Sequence, residues 1–186
     1  MKVSKYILAG SLLSAALLLT SPSVKANYYT GGFATGFLTY GVGSGGSSSI
    51  ASTAAQQWNG VSSKVSLSYS SASNQYGSTA NIVTYFNSDP APTTDDYGIT
   101  YAYSSYTGTS ATPAYYDGLW VKAICFQYTN SALNTTTRKT GTATHELGHA
   151  LSLDHAYEVA VMQQGVKDFY TLKSYDINNL KWKWGN

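Results

Sequence analysis

The sequence predicts an α+β fold: one mixed β-sheet with helices packed on it, in two or three layers. Short runs rich in β-branched and aromatic residues fill the middle of the chain, and helical periodicity appears once before them and twice after them. Nothing repeats along the chain. At 186 residues it suits one domain once a leading segment is set aside.

That segment is residues 1–26. Lys2 and Lys5 precede an apolar run from Ile7 to Leu19, and a polar stretch with Ser21 and Pro22 leads to Val24-Lys25-Ala26. This is the pattern of a cleaved secretory signal, and the run is shorter than the ~20 residues of a bilayer-spanning helix. Export is therefore expected, with residues 27–186 as the mature, extracellular domain. Phe37-Leu38-Thr39-Tyr40 is the first strand candidate, and the Gly/Ser stretch 41–49 connects it to a helix over Ser48–Trp58. Ile50, Ala54, Ala55 and Trp58 share one face of that helix, and Asn59-Gly60 closes it. Val65, Leu67 and Tyr69 then alternate with polar residues. Ile82–Phe86, Gly98–Tyr103 and Leu119–Tyr128 are further strands, and Ser104–Asp117 is a polar loop. Helical periodicity returns over Thr137–Ser152 and again over Tyr175–Trp182, where Ser174 is the expected N-cap.

Composition excludes several partner classes. Without Lys2, Lys5 and Lys25, the eleven basic residues fall to eight, against nine acidic ones. No basic stripe remains for nucleic acid, and no basic amphipathic helix for a membrane surface. The single cysteine, Cys125, excludes an internal disulfide and is expected as a small buried hydrophobe. A monomer is the expectation.

The chemistry concentrates in eleven residues. All three histidines of the chain, His145, His149 and His155, lie there together with Glu146, one of only two glutamates. Four residues apart on a helix, His145 and His149 stack on one face and offer two imidazole nitrogens to one ion. Glu146 sits about 100° round the helix from His145, beside the ion, where it can take a proton from an attacking water. His155 cannot join that face on a continuing helix, so the chain must break after Leu151 and fold back. Three neutral nitrogens leave one corner of a tetrahedral Zn²⁺ open, which is the arrangement of catalytic sites. Two other readings compete: a non-catalytic secreted metal-binding or adhesion module, suggested by the Tyr/Ser/Gly-rich surface, and a peptidase toxin of narrow specificity.

At these residues the sequence resembles the metzincin clan of zinc peptidases, whose signature is H-E-x-x-H-x-x-G-x-x-H followed by a methionine turn. It is most similar to the matrixin (matrix-metalloproteinase-like) branch, as a small bacterial-type member. The resemblance implies a secreted metalloendopeptidase with a mixed five-stranded sheet, an active-site helix and a C-terminal helix. It makes His145, His149 and His155 the ligands of one catalytic zinc, Glu146 the base, and Met162 the methionine beneath the metal. It also implies that an antiparallel edge strand, here Gly98, Ile99, Thr100, Tyr101 and Ala102, binds extended peptide by strand addition. The segment Gln163–Tyr170 would wall the pocket on one side. Ser152 replaces the signature glycine, which leaves room for a different turn and for Asp154 as a substitute ligand. Gln164 stands where other branches carry a ligating tyrosine, and no histidines remain for a second, structural zinc. Asp95 and Asp96 lie where a calcium loop could form, although solvated loop carboxylates are the expected reading.

Overall fold

The computed structural model describes residues 27–71, 79–107 and 109–186, so the expected signal segment 1–26 lies outside the described residues. Six strands and three helices follow in the order β1 (Gly36–Val42), α1 (Ser48–Trp58), β2 (Val65–Tyr69), β3 (Ile82–Pro90), β4 (Gly98–Tyr106), β5 (Ala111–Pro113), β6 (Lys122–Thr129), α2 (Thr136–Ala150) and α3 (Ser174–Trp184). The strands form one mixed sheet ordered β2-β1-β3-β6-β4-β5. Among the described residues, no helix is long and apolar enough to cross a membrane.

Parallel neighbours need a crossover, and α1 supplies it between β1 and β2, which pair in parallel from Gly36–Val65 to Tyr40–Tyr69. β3 joins β1 and β6 in parallel, and β4 runs antiparallel to β6 from Gly98–Gln127 to Tyr103–Lys122. The five expected strands become six because β5, drawn from the expected Ser104–Asp117 loop, pairs with the far end of β4. All three of its residues are exposed, so it has no buried alternation to betray it in the sequence.

The helices lie on one face of the sheet. Leu38, Tyr40, Val65, Leu67, Ile82 and Cys125 point from the strands into a core shared with Ile50, Ala54 and Trp58 of α1 and Ala143, Leu147 and Ala150 of α2. Full burial of a leucine such as Leu147 contributes about 2 kcal/mol. Cys125 is buried in that core, as expected. Two tryptophans fix the helices in place: Trp58 Nε1 donates to Thr144 O at 3.0 Å, and Trp184 Nε1 donates to Leu151 O at 2.9 Å. α3 begins one residue earlier than expected, with Lys173 and not Ser174 at its N-cap, because Asp176 Oδ2 accepts the Lys173 N–H at 2.8 Å.

Candidate functional site

α2 carries His145 and His149, and its C-terminal turn brings back His155. Thr135 caps the helix start by accepting Arg138 N–H at 3.2 Å. At the other end, Ser152 takes φ 67°, donates its N–H to His149 O, and lets Leu153 N–H reach Gly148 O. This is a Schellman motif, which glycine normally closes. Ser152 thus takes the left-handed conformation that glycine favours at this place in the motif. The chain then pairs with the start of the described domain: Tyr29 N–H donates to Ser152 O, Asp154 N–H to Asn27 O, and the Asn27 side chain to His155 O at 2.7 Å. Asp154 stays out of the histidine cluster; its Oδ1 accepts His155 N–H at 2.7 Å and the Tyr29 hydroxyl at 3.4 Å.

Left-handed backbone costs a residue with a side chain about 1 kcal/mol or more, and Ser152 also buries a hydroxyl with no partner among the described residues. Ser152→Gly removes both penalties and adds the flexibility of glycine in the unfolded chain. We expect a net gain of about 1 kcal/mol by chemical denaturation. An equal loss would mean that the hydroxyl holds the turn.

The three rings converge. His149 Nε2 lies 3.0 Å from His145 Nε2 and 3.2 Å from His155 Nε2. His145 Nδ1 faces Val161 O and His149 Nδ1 faces Leu153 O, each at 2.8 Å. A carbonyl oxygen can only accept, so each Nδ1 carries the proton and each Nε2 presents a lone pair. Lone pairs so close repel unless a cation lies among them. Tetrahedral zinc with Zn–N bonds of ~2.0–2.1 Å places ligand nitrogens roughly 3.3 Å apart, close to the separations here. The donor set therefore fits a metal ion such as zinc, and among the described residues this trio is the one group of three or more His, Cys, Asp or Glu with ligand atoms in mutual reach. Burial holds His145 well below the ordinary histidine range and takes His149 down to about 4. Both therefore keep the neutral form that a metal ligand needs.

Met162 is 1% exposed, with its sulfur against Gly148, which lies between His145 and His149 on α2. Its turn is tied to α3 through a group that sequence reasoning missed. The buried Asp176 carboxylate accepts Val161 N–H at 2.9 Å and Met162 N–H at 3.0 Å, while Val161 O holds His145. An i, i+3 relation to Lys173 in a capping box was the signal that could have exposed it.

Glu146 bonds to β4 and not to the rings. Its Oε2 lies 2.9 Å from the Thr100 hydroxyl, and Gly98 leaves its Oε1 room, since a Cβ there would come within 2.7 Å. Burial raises the Glu146 carboxyl to about 8, against the smaller opposing effects of Thr100 and Lys167. Tyr97 O bonds to β6 and Ala102 O bonds outward to Ala114. By strand alternation, the main-chain groups of Gly98 and Thr100 also face outward. A cleft of about 590 Å³ runs along β4, lined by Gly98–Ala102, Glu146, the three histidines, Thr142, Gln164, Gly165, Lys167, Tyr29, Tyr116 and Trp120. Lys167 packs near Gly141, ahead of His145 on α2, whereas Tyr29 stacks on His149 and lies against Tyr116 and Trp120, so these two groups fall at opposite ends. The sequence thus named one wall and the floor of the cleft but not its aromatic end. Asp95 and Asp96 reach the same cleft, and Asp96 Oδ2 is engaged by the Thr93 N–H and hydroxyl.

No protein-family model matches this sequence, and no curated protein does. Among solved structures the chain is similar to the structure of myroilysin, with a TM-score of 0.50 and 12% identity over 83% of this chain and 96% of that one. At that identity the likeness concerns the fold alone, an α+β arrangement of one mixed sheet with helices packed on it. Site residues rest on their own geometry.

Proposed function

We propose that the chain is a secreted, zinc-dependent metalloendopeptidase of matrixin-like type, with His145, His149 and His155 as metal ligands and Glu146 as general base. The observation that carries this reading is the convergence of three Nε2 atoms, those of His145 and His149 proton-free, beside a carboxylate that bonds to β4 and not to the rings.

When bound, zinc supplies a Lewis acid that acidifies water and polarises a peptide carbonyl. The remaining work falls to the chain. Extended peptide adds to the free edge of β4 through the outward main-chain groups of Gly98 and Thr100. Glu146, turned by the Thr100 hydroxyl, takes a proton from the attacking water and delivers it to the leaving amine. In the metal-free chain burial raises this carboxyl to about 8, which suits it to deliver the proton, and beside the positive charge of a bound zinc it would favour the ionised form that first takes it. Val161 O and Leu153 O keep the imidazoles in register by fixing their Nδ1 protons. Attack by water is direct, and no side chain becomes acylated.

One experiment tests both halves of this reading. Purified residues 27–186 should hold one zinc per chain by elemental analysis, cut a denatured protein, lose that cutting to a chelator and regain it with zinc. Stoichiometric zinc without cleavage would favour a non-catalytic metal-binding module instead.

A further inference from the structure

The end of the cleft at Thr142 contains a cation that the reaction does not use. Lys167 is 7% exposed, and among the described residues its ammonium has one hydrogen-bond partner, Gly165 O at 2.6 Å. An ammonium carries three donors, so two remain. The described residues contain one ion pair, Arg138–Asp168, and Lys167 is not part of it. The nearest candidate counter-charges are committed elsewhere. Asp176 is bonded to three backbone N–H groups, and Glu146 is bonded to Thr100. Beside Lys167 the cleft wall is polar, with Thr142 and Gln164.

Resting on the peptidase reading, we propose that Lys167 makes this end of the cleft a subsite for an acidic side chain, Asp or Glu, on the residue that follows the scissile bond. The direction comes from α2. Glu146 must face the leaving amine to protonate it, and Thr142, one turn earlier on the same helix face, lies beyond Glu146 on that side. His149, one turn later from His145, lies toward Tyr29, whose ring stacks on it at 6.4 Å between centroids. The amine half of the substrate therefore enters the Thr142–Lys167 end, and the acyl half lies along Tyr29, Tyr116 and Trp120. A carboxylate there replaces water on a desolvated ammonium, which is a strong form of hydrogen bond. Burial lowers Lys167 to about 8, so it still carries its charge near neutrality. Asp95 and Asp96 lie off this end, beside Gly98, and oppose further acidic residues, so the preference belongs to one position.

The test is a peptide library varied at that residue, cleaved by the zinc-loaded chain. Glu and Asp should exceed Gln and Leu in kcat/KM by about tenfold. Lys167→Met should erase the difference while still cutting neutral peptides, and Lys167→Arg should retain it. As a second readout, the uncut Glu peptide should bind the zinc-loaded Glu146→Gln chain more tightly than its Gln counterpart by calorimetry. Cleavage by the unaltered chain without an acidic preference, or a preference that survives in folded Lys167→Met, overturns the inference and leaves the peptidase reading standing. If neither the library nor a denatured protein is cut in a chelator-sensitive way, the peptidase reading falls and takes this inference with it.

Discussion

Glu146→Gln is expected to lower kcat/KM on any peptide by on the order of 10²- to 10⁴-fold, the typical contribution of a positioned acid–base group. The amide keeps the volume of the side chain and can still accept a hydrogen bond from Thr100, so the cleft and the Nε2 trio should stay intact and zinc content should not change. The structure adds a less obvious expectation. Glu146 is buried, and its carboxyl is raised to about 8 because its charged form is poorly solvated. At neutral pH a neutral amide avoids that penalty, so the metal-free variant should be at least as stable as the parent. Activity and stability are then measured on the same protein. Lost activity with unchanged zinc and undiminished stability identifies a functional group, whereas lost activity with lost zinc would make Glu146 a structural one. Full activity would remove the proposed base.

What the sequence disclosed about this site depended on range. His145, Glu146 and His149 were legible because a helix converts spacing into direction within one turn. β4 was legible because Gly98–Tyr103 carries its own strand pattern, although β5 and not β4 ends the sheet. His155 was less so: its place depends on Ser152 accepting a left-handed backbone, and on Asn27–Tyr29 pairing with the turn from more than a hundred residues away. Lys167 was invisible as a buried charge, because burial of a lysine follows from what packs over it, and the capping relation of Asp176 to Lys173 marks a helix start without announcing that its carboxylate is buried. The same holds for β5, which is fully exposed and pairs only because the β4 hairpin folds back. The fold class, in contrast, followed from the strand-like runs and the helical spacings themselves, although β3 and β6 are buried along consecutive residues and β4 buries none.

Gly148→Ala should do comparable damage by another route, destabilising the fold by about 3 kcal/mol and weakening metal retention. Gly148 sits between the ligands His145 and His149 on the inner side of α2. A Cβ there would stand 2.2 Å from Met162 Sδ and 2.8 Å from Trp58 Cζ2. Such contacts are tolerable only if one neighbour can retreat. Trp58 cannot: it is fully buried, and its indole N–H is committed to Thr144 O. Met162 has a flexible side chain, but Asp176 pins its backbone, and the same turn supplies Val161 O to His145. Pushing Met162 down therefore loosens the carbonyl that orients a ligand, and pushing α2 outward separates the ligands themselves. The methyl group touches neither metal nor substrate, so any loss of zinc must come through this packing. Thermal unfolding and zinc content measured together should fall in the variant, while Gly165→Ala, at a glycine of φ 88° with open space around it, should cost stability through backbone strain and leave zinc bound. An intact zinc site in Gly148→Ala would show that the methionine turn does not position the ligands.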